Sequence, residues 1–133
     1  MSVKKCCGGS CSCNDAGPAL IFPCSGCSDT GSIADQAGRK LTQQNKGSMA
    51  CLAGIGGRVS GILLSTKAAE RILVIDGCPL GCGAQTLKHA GIRKFMHLEL
   101  STIGLKKGKS PLNRRNLQKA IVGAEKLLSG KKR

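Results

Sequence analysis

Four short apolar runs alternate with segments of helical period, and this alternation constrains the fold more than any other feature of the chain. The clearest run is "RILVIDG" (71–77), in which four aliphatic residues are bounded by Arg71 and by Asp76-Gly77. A run of that length and β-branched content predicts a strand. "ALIF" (19–22), "SMACLAG" (48–54) and "KFMHLEL" (94–100) read as three more strands. Between them, Ile33, Ala37 and Leu41 stand at i, i+4 and i+8, with Gly47 as the expected helix C-cap. Gly56-Gly57 is expected to open a helix carrying Val59, Ile62, Leu63 and Thr66 on one side, and residues 82–90 a shorter helix ending at Gly91. The last helix has Ser110 as expected N-cap and Pro111 at its first position, with Leu117, Ala120, Ile121, Ala124, Leu127 and Leu128 in one stripe up to Gly130. Strand–helix repetition of this kind builds parallel βαβ units with right-handed crossovers. The expected fold is a three-layer α/β domain of Rossmann/flavodoxin-like type, with a four-stranded parallel sheet in the order 2-1-3-4.

The 133 residues suit one domain, 18–133, behind a Cys/Gly/Ser-rich head, 1–17, expected to be flexible. With two Phe, no Trp and no Tyr, the core must be aliphatic. The same shortage argues against nucleic-acid recognition by aromatic stacking. No run reaches the roughly 18–20 apolar residues of a membrane-spanning helix, and the N-terminus lacks the apolar region of a secretory signal. The cytoplasm is the expected compartment, with no membrane partner. The net charge of +14 is concentrated at the end, where residues 103–133 hold ten Lys or Arg against one Glu. A basic C-terminal helix of this kind suits a solvated face, an acidic protein partner or a nucleic acid.

Nine cysteines cannot all pair within one chain, and in a reducing compartment they read first as metal ligands or redox groups. Cys24 and Cys27 fall just past the first expected strand, Cys51 at the second, and Cys78 and Cys82 past the third. Parallel sheets place ligands beyond the carboxyl ends of their strands, so these five thiols are expected along one edge. Thiols converging from distant positions suit a tetrahedral soft-metal site. Helix N-termini at the same turns would favour thiolates, which are also the nucleophilic form. Metal binding and thiol chemistry therefore both remain open. In the head, Cys6, Cys7, Cys11 and Cys13 form C-C-x₃-C-x-C, suited to a second soft ion or to a reductant arm. Asp76 is expected to accept N–H groups of the turn it precedes, or to orient a ligand from behind. His89 is expected at the surface, and His97 in the core or at an edge. Cys51 and Arg58 form C-x₆-R, one residue longer than the C-x₅-R loop of small phosphatases and arsenate reductases.

The segments "CSGCSDTGSIADQAGRKL", "MACLAGIGG", "VIDGCPLGC", "HAGI" and "GLKKGKSP" together resemble the DGC-domain family of small zinc-associated proteins, over roughly residues 18–112. The family's Asp-Gly-Cys stands here at Asp76-Gly77-Cys78. The resemblance implies a compact α/β domain binding zinc through four cysteines, which map onto Cys24, Cys51, Cys78 and Cys82. It leaves Cys27 as an extra thiol. Such a site suits a structural or sensory role or delivery of the ion, and because all-cysteine coordination keeps no open position, hydrolytic zinc chemistry is not expected unless water replaces one ligand. The same four thiolates would also suit an iron–sulfur cluster. The alternative function is a thiol-dependent oxidoreductase or thiol-transfer enzyme, working through Cys24 and Cys27 or through Cys51 with Arg58. A third is a nucleic-acid-associated module using the basic helix.

Overall fold

The structure, a computed structural model, describes residues 17–130. The head with Cys6, Cys7, Cys11 and Cys13 lies outside them, apart from Gly17. Four parallel strands form one sheet: β1 (Leu20–Pro23), β2 (Ser48–Met49), β3 (Ile72–Asp76) and β4 (Met96–Glu99). Their order is β2-β1-β3-β4, the expected one. Helix α1 (Asp29–Gln43) follows β1. Helices α2 (Leu52–Gly56) and α3 (Ser60–Ala68) follow β2, and α4 (Cys82–His89) follows β3. After β4 come a 3₁₀ turn (Leu100–Ile103) and α5 (Arg114–Ser129).

All five residues of β3 are buried, as its unbroken aliphatic run requires. Side chains alternate across the sheet and feed two cores. On one face Ile21, Leu73, Ile75 and Leu98 meet Ile33, Ala37 and Leu41 of α1 and Ala120, Ile121 and Ala124 of α5. On the other, Phe22, Ile72 and Val74 meet Ile55 of α2 and Ala84 and Leu87 of α4. Each fully buried Leu, Ile or Phe stabilises the fold by about 1.5–3 kcal/mol before entropic costs.

Five local expectations give way to tertiary contacts. The segment 48–54 is extended only at Ser48–Met49, because the chain turns into α2 at Leu52. Gly56-Gly57 ends that helix instead of opening one, and Arg58 (φ +58°) occupies the left-handed position that separates α2 from α3. Gly47 does not cap α1, whose C-cap is Gln44. A side chain at Gly47 would stand 2.7 Å from Ile21 Cδ1 and 2.8 Å from the Ala19 carbonyl, so its smallness serves strand packing. Helix α5 is capped by Asn113, whose Oδ1 accepts the Asn116 N–H at 2.8 Å, while buried Ser110 accepts the Lys106 N–H at 2.8 Å. Leu100, read as strand, begins the 3₁₀ turn.

Asp29 ties the start of α1 to the loop before α5. Its carboxylate accepts N–H bonds from Gly108 (2.8 Å) and Ser110 (2.9 Å). These bonds, Gly108 foremost, lower its pKa below the ordinary aspartate value. Because the folded value is the lower one, the carboxylate's contribution is complete above the unfolded value near 4 and is lost as pH falls through the folded value. Asp29→Asn should therefore reduce stability near neutral pH and flatten the loss between about pH 4 and pH 2, measured by urea denaturation across that range. An acid limb as steep as wild type would contradict this.

Candidate functional site: a thiol-lined cavity at the carboxyl edge

The turns leaving β1 and β3 are pressed together by glycines. A Cβ at Gly77 would lie 2.7 Å from Gly31 N and 2.8 Å from Thr30 C, and a Cβ at Gly31 would lie 2.8 Å from Gly26 O. Backbone atoms cannot yield as a flexible side chain can, so all three segments depend on these hydrogens. The Cys24 N–H donates to the Ile75 carbonyl at 2.7 Å, fixing the first cysteine turn on the end of β3.

Asp76 organises the third turn from beneath. It is only 1% exposed. Its Oδ1 accepts the Gly83 N–H at 2.7 Å and its Oδ2 the Ala84 N–H at 3.1 Å, capping the first turn of α4. Gly83 permits this approach, since a Cβ there would stand 2.8 Å from Asp76 Oδ1 and 2.9 Å from Val74 Cγ1. A carboxylate only accepts, so His97 donates to Oδ2 from Nε2, at 2.8 Å. The expected turn role of Asp76 is thus observed. His97 is an edge residue, its side chain one-third exposed and edge-on to Phe95. The pairing of His97 with Asp76 was not foreseen, although the two strands lie side by side.

Above these supports lies a cavity of about 700 Å³, lined by Cys24, Cys51 and Cys82, together with Asp35 and Arg39. The three thiols come from three chain segments: the turn after β1, the N-cap position of α2 and the first residue of α4. Arg39 Nε donates to Asp35 Oδ2 at 2.8 Å across one helical turn, and that bond raises the guanidinium pKa further. The i, i+4 spacing of Asp35 and Arg39 on α1 was the available sequence signal for this polar wall. Cys78 is half-buried on the neighbouring turn and Cys27 is exposed, and neither lines the cavity. All five described cysteines are free thiols.

Sulfur donors of the right chemistry therefore gather at one sheet edge, but among the described residues no three His, Cys, Asp or Glu stand close enough to hold one ion. Cys51 and Arg58 do not form an anion-cradling loop: the residues after Cys51 are helical, and Arg58 lines a separate cavity, where its Nη2 donates to the His89 carbonyl at 2.9 Å. His89 is exposed, as expected, and also borders that second cavity, which Cys82 shares. No described helix is long and apolar enough to cross a membrane.

These features define a small three-layer α/β protein with a thiol-lined cavity beyond the carboxyl ends of its strands. The chain belongs to the DGC domain family, whose sequence profile matches residues 20–123. It is also similar to the anaerobic and virulence modulator AnvM of Pseudomonas aeruginosa, at 33% identity over 117 residues covering 86% of this chain and 89% of that protein. No solved structure matches.

Replacing Asp76 by Asn keeps one acceptor oxygen but leaves the Gly83, Ala84 and His97 donors competing for it. Asp76→Asn should destabilise the protein by about 1–3 kcal/mol, and Asp76→Ala by more, as read from urea midpoints. His97→Gln, on the exposed side of the pair, should cost less than either. Equal loss in all three would contradict the capping role.

Proposed function

We propose that this chain is a regulatory protein of the cytoplasm that binds one zinc ion through Cys24, Cys51, Cys78 and Cys82. The observation that carries the reading is the cavity edge, where Cys24, Cys51 and Cys82 arrive from three separate turns with none used in the core or in a disulfide. Cys78 follows on the turn that Asp76 and Gly77 hold against the first. The thiols stand apart as described, so the ligand set assembles as the ion binds. Coupling between binding and local ordering is usual for thiolate sites. A closed four-sulfur site offers no vacancy for substrate, which favours a regulatory over a hydrolytic role. The likeness to a relative named an anaerobic and virulence modulator supports the same direction. Asp76 would then act from behind the ligands, fixing the two turns that carry Cys78 and Cys82.

A second reading is favoured by one detail. Cys82 is exposed, sits at the first position of α4 after Gly81 in the left-handed conformation, and borders two cavities. A thiol so placed suits nucleophilic chemistry, with Cys27 exposed on the facing turn as a further thiol. The same four thiolates would also serve an iron–sulfur cluster.

Metal content per chain, measured on protein purified anaerobically without added metal, separates these readings. The expected result is about one zinc. It should be lost in Cys24→Ser, Cys51→Ser, Cys78→Ser and Cys82→Ser and kept in Cys27→Ser. Metal-free wild type with a fast-reacting thiol at Cys82 would overturn the zinc reading, and bound iron with sulfide would replace it with a cluster.

A further inference from the structure

A larger cavity lies elsewhere, as a groove of about 1090 Å³ between α5 and the edge of the sheet. Its α5 wall runs from Arg114 to Leu127, a stretch about 20 Å long at 1.5 Å per residue. Leu98, Ile103, Val122 and Leu127 give it an apolar floor, and Arg114, Arg115, Lys119 and Lys126 line its rim. Among the described residues no carboxylate lines it. Glu125, on the same helix, is drawn away into an ion pair with Lys46. Val122 is 37% exposed, so part of the floor is open to solvent. Strand β4 pairs only with β3, which leaves the groove's other wall at an open sheet edge among the described residues.

We propose that this groove docks an acidic amphipathic helix of a partner protein. Its apolar residues would lie on Leu98, Ile103 and Val122, and its carboxylates would face Arg115, Lys119 and Lys126. Arg115, Lys119, Val122 and Lys126 fall at i, i+4, i+7 and i+11, so cations flank the exposed apolar patch along one helix face. A helix wall about 20 Å long matches three to four turns of a docked helix and exceeds what a compact small molecule would cover. A nucleic acid would use the cations but gain little from an aliphatic floor without stacking rings. A second copy of this chain fits poorly. Its net charge is +14, and of the six acidic residues described all but Glu70 are already hydrogen-bonded or ion-paired. The proposal needs no metal and stands apart from the thiol site.

The test is selection of a random 16-residue peptide display library on the full-length protein, followed by fluorescence anisotropy of the enriched peptides. Binding is compared with Val122→Asp and with the double variant Arg115→Glu/Lys119→Glu, each checked for an unchanged melting temperature. A random-sequence duplex DNA is titrated in parallel. The expected result is enrichment of peptides with apolar residues at helical spacing flanked by Asp or Glu. Their affinity should fall at least about tenfold in both variants and weaken with salt. Enrichment without acidic residues, affinity unchanged in both variants, or duplex DNA binding more tightly than the peptides and indifferent to Val122→Asp would overturn it.

Discussion

The buried carboxylate of Asp76 is the interaction on which the thiol edge depends. A charge this far from water is costly unless it is fully hydrogen-bonded. Here the compensation comes from the first turn of α4 and from His97 of β4. One side chain thereby ties the end of β3 to the following helix and to the neighbouring strand. The turn 77–81 has little freedom between those anchors, and it carries Cys78 and leads to Cys82. Gly77 and Gly31 complete the constraint by letting this turn touch the start of α1, next to the segment bearing Cys24. Among the described residues no buried side-chain nitrogen or oxygen lacks a hydrogen-bond partner.

The layered fold was legible because its signals are strong and local. The aliphatic run of β3, the i, i+4, i+8 spacing of Ile33, Ala37 and Leu41 and the apolar stripe of α5 each have one economical reading, and the strand order supposed for a doubly wound sheet is the one observed. The misread positions depend on contacts distant in sequence. Gly47 looks like a helix terminator until its contact with Ala19 and Ile21 is seen. Ser110 looks like an N-cap before Pro111, yet the loop folds back on Asp29, and Asn113 takes the capping role. The short α2 hides within an apolar stretch that suits a strand equally well.

The site was legible in part. The cysteine spacing placed thiols from three strand ends at one edge, and three of them share a cavity. Spacing could not say that Cys78 lies on its flank, nor that Asp35 and Arg39 form a wall, because those positions depend on how closely the turns pack. Resemblance to relatives, rather than spacing, singles out four cysteines from five. The basic character of α5 was visible as charge, but the apolar floor beside it appears only when β4 and the 3₁₀ turn are placed against the helix. The result is a molecule with two distinct surfaces. One is rich in thiols and glycine turns at the carboxyl edge, and the other is cationic with an aliphatic floor at the β4 edge.

In the proposed function, four thiolates from three turns close on one zinc ion. X-ray absorption at the zinc edge, on protein loaded with one equivalent, tests it most directly. The expected spectrum shows a shell of four sulfurs at about 2.3 Å, falling to three in Cys78→Ser, the ligand that must move in from beside the cavity. A shell dominated by nitrogen or oxygen near 2.0 Å, or one unchanged by Cys78→Ser, would contradict it.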